Sequence, residues 1–190
     1  MANKINYRNG IAPKIIEEAR KRIFNSFMEK GYIDSLDSES IKEIEDFSLK
    51  ICGSLSMRVI RYAIEHYPDQ VNTFSPIVSS QLAVLVGMAL TNEWAKGNKE
   101  IPENIYDEMI EESSIDTFDE YLLEKIGIEY KSDEYNELLS FINRTYCDNW
   151  IYIHEEAQKR GVGTQIMFVV EGPMIMLSIG IQMEKKRLGV

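Results

Sequence analysis

The sequence predicts an all-α fold, a bundle of six or seven helices. Three observations carry that reading. Apolar residues recur at three- and four-residue steps along the chain, and no stretch shows the period-two alternation of a half-buried strand. Helix-favouring Glu, Lys, Ile, Leu and Met are abundant. The five prolines stand where helices would begin or end. With 190 residues, 44% of them hydrophobic and 27% charged, the chain is expected to bury one substantial core. Residues 1–190 are read as a single all-α domain, divisible into halves at 13–97 and 102–188.

The elements follow in order. A first helix is expected from Pro13 to Lys30, stopped by Gly31, with Ile15, Ile16, Ala19, Ile23, Phe24 and Phe27 as its apolar stripe. A longer one runs from Ser38 to His66, and its later half (Cys52, Gly53, Ser56, Ile60, Ala63) is apolar or small on the second face too. Ser75–Pro76 reads as an N-cap followed by proline, and the run after it is apolar on nearly all sides. Pro102 opens a short acidic helix to Glu112, and Asp116–Lys125 forms another, ended by Gly127. A long helix spans Ser132 to Arg160, stopped by Gly161. In the last segment Pro173 cannot donate to a helical ladder, so a kink or break is expected at Glu171–Gly172. The central buried helices are placed near 76–94 and 173–187.

The order of elements hints at a pseudo-duplicated three-helix unit. Each half reads as a short amphipathic helix, a long helix, then a mostly apolar helix opening with proline. Ile23–Lys30 sets against Phe118–Lys125, and Ile41, Ile44 and Phe47 against Tyr135, Leu138 and Phe141.

Charge narrows the function. A net charge of −10 and a pI near 4.8 disfavour nucleic acid, whose binding needs clustered Lys and Arg to neutralise phosphates. The basic groups at Lys14–Arg22 and Lys185–Arg187 sit beside acids and read as solvated helix faces. Cys52 and Cys147 lack metal-ligand spacing and read as buried reduced thiols. The polar N-terminus has no secretory run, so a cytoplasmic location is expected. Thr164–Met183 approaches the length of a membrane span. Glu171 and Gly172–Pro173 within it make a buried core helix the better reading, and membrane association unlikely.

Chemistry leaves few traces. The chain carries no GxGxxG after a strand, no GxxxxGK[ST], no GxSxG and no HExxH. His66 and His154 lack the Glu-x-x-His spacing of a di-iron bundle, and each reads as a helix-end or half-buried residue beside acids. No metal and no cofactor is expected. Glu171 stands out, because a carboxylate in MFVVEGPMIM must reach water, find a partner or shift its pKa. Its simplest reading puts it at the start of a helix opened by Pro173, where the N-terminal dipole favours an anion. Arg58 and Arg61 are its expected partners, and Tyr146, Trp150 and Tyr152, with Trp94, are candidate lining aromatics. Met167, Met174, Met176 and Met183 are read first as packing filler, with an adaptable apolar interface as the alternative.

These observations point first to a non-enzymatic intracellular protein acting through protein–protein contacts, as a homodimer or an assembly component. The alternative is a helical pocket for a small apolar or cationic ligand near Glu171, Arg58, Arg61, Tyr146, Trp150 and Tyr152. A remoter third is an acidic mimic of nucleic acid. A cavity with convergent polar groups favours the pocket; a solid core with a flat apolar patch favours the contact protein.

Overall fold

The computed structural model describes residues 11–35, 75–97, 108, 118–162 and 165–190. They form five helices: α1 (Ile11–Glu29), α2 (Ser75–Lys96), α3 (Phe118–Ile126), α4 (Asp133–Arg160) and α5 (Gln165–Leu188). No strand occurs among the described residues. The helices expected at 38–66 and 102–112 lie outside them, apart from Glu108, which is helical.

The helix ends follow local chemistry. The Ser132 side chain accepts a hydrogen bond from the Tyr135 N–H at 3.2 Å and caps α4, whose first turn carries Asp133 and Glu134. At the other end Gly161, at φ 64°, donates to the Ala157 and Gln158 carbonyls, beside Lys159 and Arg160. Helices α1 and α3 close alike. Gly31 (φ 81°) and Gly127 (φ 72°) donate to Met28 and Glu124, and the next N–H groups, of Tyr32 and Ile128, reach back to Phe27 and Leu123. A side chain at either glycine would strain the left-handed turn.

Packing starts from the central pair. Helices α2 and α5 share the largest helix–helix contact, and both are buried around most of their circumference: Leu82 to Leu90 on one, Ile175 to Met183 on the other, with Gln182 partly exposed. Their backbones meet because two glycines permit it. A Cβ on Gly180 would stand 2.1 Å from the Val84 carbonyl oxygen, and one on Gly87 2.3 Å from that of Leu177. Such a close crossing gives long runs of buried atoms many partners at contact distance.

Helix α1 lays Ile15, Ile16, Ala19, Ile23 and Phe27 inward against α4. Phe27, Tyr32 and Phe141 then cluster at its C-terminal end, Phe27 meeting Phe141 edge-on with centroids 4.9 Å apart. Helix α3 packs on α2 through Phe118, Leu122 and its buried neighbours.

Of the kink or break expected at Glu171–Gly172, the break is corrected. Helix α5 runs without a break through Glu171–Gly172, with Pro173 inside it. Proline removes one ladder hydrogen bond, but Gly172 and Pro173 are buried and Gly172 lies against the Tyr146 ring. Tertiary packing along the length of α2 outweighs that single loss.

Candidate functional site

Among the described residues, two regions bring polar side chains together inside the bundle. The first surrounds Glu171. Since α5 begins at Gln165, Glu171 stands well inside the helix, so the expected helix-start position is also corrected. Burial pushes its carboxyl above the ordinary range, and the Arg20 guanidinium on α1 partly opposes that. Burial also lowers the Arg20 pKa, with Glu17 and Glu171 acting to raise it. Arg20 was not foreseen: it belongs to a basic run that reads as solvated, yet it is half-buried. The expected partners Arg58 and Arg61 lie outside the described residues, as do His66 and Cys52.

The aromatics divide. Tyr146 is fully buried against Gly172, and its phenol is held protonated by burial, with the Ser80 hydroxyl opposing that shift. Trp150 stacks on it at 6.5 Å and 25°. Tyr152 is elsewhere, under the Arg22 guanidinium, which sits 4.3 Å from its ring centre while its Nε donates to Asn149 Oδ1 at 3.3 Å. Glu171, Tyr146 and Trp150 therefore share one part of the bundle, and Tyr152 faces α1. A Gln81–Asn143 side-chain hydrogen bond joins α2 to α4. These contacts are those of the described residues; Arg58 and Arg61, which complete the expected pocket, lie outside them.

The second region is a cleft of about 760 Å³ where the C-terminal ends of α1, α3 and α5 meet the N-terminal end of α4. Met88, Ile128, Leu138 and Met183 form an apolar floor. Tyr32, Lys30, Asp133, Glu134, Glu137, Lys186 and Arg187 make the polar rim. Lys186 and Glu171 are fifteen positions apart on α5, roughly 22 Å along a helix at ~1.5 Å per residue. The cleft is thus a second region, separate from the one around Glu171.

Ion pairs hold the rim. Lys30 Nζ meets Glu137 Oε1 at 2.7 Å, bridging α1 to α4. The pair raises the Lys30 pKa and lowers that of Glu137. Lys186 Nζ meets Asp34 Oδ1 at 2.8 Å and donates to the Gly31 carbonyl at 2.9 Å. Arg187 Nη1 meets Glu184 Oε2 at 2.7 Å, and its Nη2 donates to the Ile126 carbonyl at 3.1 Å. Glu184 is 1% exposed, and its other oxygen accepts from Asn92 Nδ2 at 2.7 Å. The basic turn of α5 thus satisfies orphan carbonyls at the ends of both α1 and α3.

Glu184 and Asn92 also went unforeseen. Their signal was positional: Glu184 continues the Leu177–Gly180 face of α5 by one turn, and Asn92 interrupts an apolar run. One further expectation changes. Cys147 is a free thiol of intermediate exposure rather than a buried one. Met176 and Met183 are core residues, in keeping with the packing reading of the methionine-rich segment.

Among the described residues, no group of three or more His, Cys, Asp or Glu is set to hold a metal ion, and no helix is long and apolar enough to cross a membrane. Comparison with protein-family models, curated proteins and solved structures finds no match to this chain.

Proposed function

We propose that the protein is a non-catalytic binding protein that takes a small organic molecule in the cleft between the ends of α1, α3, α4 and α5. The observation that carries the reading is the cleft itself: an apolar floor under a rim of convergent polar groups. Its volume falls in the ~300–1,000 Å³ range of ligand sites. Binding rather than catalysis is favoured because the resolved shifts on the rim move groups away from neutrality. Lys30 is raised, Glu137 is lowered, and burial raises the Tyr32 phenol, whereas a general acid or base works best with a pKa near the operating pH.

Methionine-methyl NMR tests this. Met88 and Met183 line the cleft, while Met176 is buried and lies outside its lining. A fragment mixture should shift the first two methyl signals and leave Met176 in place. Absence of any fragment-induced shift at Met88 and Met183 would reject the reading.

The contact-protein reading keeps one supporting observation. Ile151 on α4 is 55% exposed, one turn from Cys147 and beside half-buried Trp150. A homodimer through that face is the competing proposal. We also infer the finer architecture, a duplicated three-helix unit among six or seven helices. The matching ends of α1 and α3 support it, as does the reciprocal crossing in which Gly87 lies on Leu177 and Gly180 on Val84.

A further inference from the structure

We infer that the ligand of the cleft is a small organic cation, an amine carried on an apolar body, with its ammonium set toward Asp133 and Glu134. The inference rests on the cleft reading above and adds the chemical class.

The cations of the rim are already engaged. Lys30 is paired with Glu137, Lys186 with Asp34 and the Gly31 carbonyl, and Arg187 with Glu184 and the Ile126 carbonyl. Turning Arg187 toward an anionic ligand would leave Glu184, 1% exposed, as a buried carboxylate without its counter-charge, which is strongly unfavourable. Asp133 and Glu134 differ. Both line the cleft, and neither makes an ion pair with any described residue. They are the rim charges left to meet a ligand.

Tyr32 supplies an aromatic wall that attracts a cation over its face. Burial raises its phenol, Glu137 adds to that, Lys30 opposes it and Glu134 adds again, so the ring lies within the field of these rim charges. The chain's net charge of −10 raises the local concentration of any cation approaching it. The floor of Met88, Leu138, Ile128 and Met183 takes the apolar body, and two methionines let it adapt in shape.

Three probes of one shape separate the outcomes: 3-phenylpropylamine, 3-phenylpropanol and 3-phenylpropionate, titrated into the full-length protein with Met88 and Met183 methyl shifts as readout. The amine is expected to bind at least tenfold more tightly than the carboxylate, with the alcohol between them, and added salt should weaken the amine alone. The double variant Asp133→Asn, Glu134→Gln, at two exposed positions, should narrow the amine-to-carboxylate ratio several-fold and leave the alcohol unchanged. An alcohol or carboxylate binding as tightly as the amine overturns the cation assignment while the cleft reading stands. A capped lysine peptide binding more tightly than the amine overturns the small-molecule assignment in favour of a protein partner. Silence from all three probes overturns the inference, and silence from the fragment mixture as well removes the cleft reading with it.

Discussion

At the scale of single residues, two carboxylates on α5 show how position sets chemistry. Glu184 is buried but both of its oxygens are used, by Asn92 and Arg187. Glu171 is half-buried, and desolvation outweighs the attraction of Arg20, so its pKa lies above the ordinary value. The folded state therefore holds that proton more tightly than the unfolded chain does. Between the ordinary carboxylate value and the raised one, folding takes up a proton, and stability falls as pH rises through that window. Glu171→Gln should remove this slope. Urea midpoints across a pH series just above 4.5 should show the wild type losing stability relative to the variant as pH rises. The opposite sign would mean that the Arg20 attraction dominates. Glu137 runs the other way: its pKa is lowered by Lys30, so the stability it contributes is present above the ordinary carboxylate value and lost as pH falls through its folded pKa. That pair is exposed and will weaken with salt.

At the scale of elements, the α2–α5 crossing organises the molecule. Its closeness depends on the absence of two side chains. Placing a Cβ at Gly180 brings it against the Val84 carbonyl, part of a backbone that cannot turn aside. Alanine is the better helix former by about 1 kcal/mol, but forced overpacking costs about 1–3 kcal/mol and can cost more where backbone is the obstacle. Gly180→Ala is therefore expected to lower stability, read as a reduced denaturation midpoint at an unchanged m-value. An unchanged or raised midpoint would show that the helices separate at no cost. These glycines are legible in the sequence only as interruptions in apolar runs. Which atoms they approach depends on how two segments ninety-three positions apart are set against each other.

At the scale of the whole molecule, the open question is whether function resides in a cleft or on a face. The binding reading expects a monomer by sedimentation equilibrium at micromolar concentrations, because Ile151, Leu188 and Val190 are the exposed large hydrophobic residues described and isolated exposed apolar residues are ordinary. A dimer that dissociates on Ile151→Glu would move the function to the outer face of α4.

The amino-acid sequence by itself determined the helical class, the Ser132 and Gly161 limits of α4, most of the inward stripe of α1 and the burial of the middle of the segments placed near 76–94 and 173–187. These are local properties. Caps, prolines and three-to-four-residue spacing act within a turn or two of the chain. Tertiary structure alone decided that Pro173 lies within a helix, that Arg20 comes near enough to act on Glu171, and that Glu184 is buried beside Arg187. It also made the cleft, whose floor and rim come from residues 30–32, 88, 128–138 and 183–187. No periodicity relates those positions, because a site between helix ends is set by how rigid helices cross, and that depends on packing atoms from distant parts of the chain.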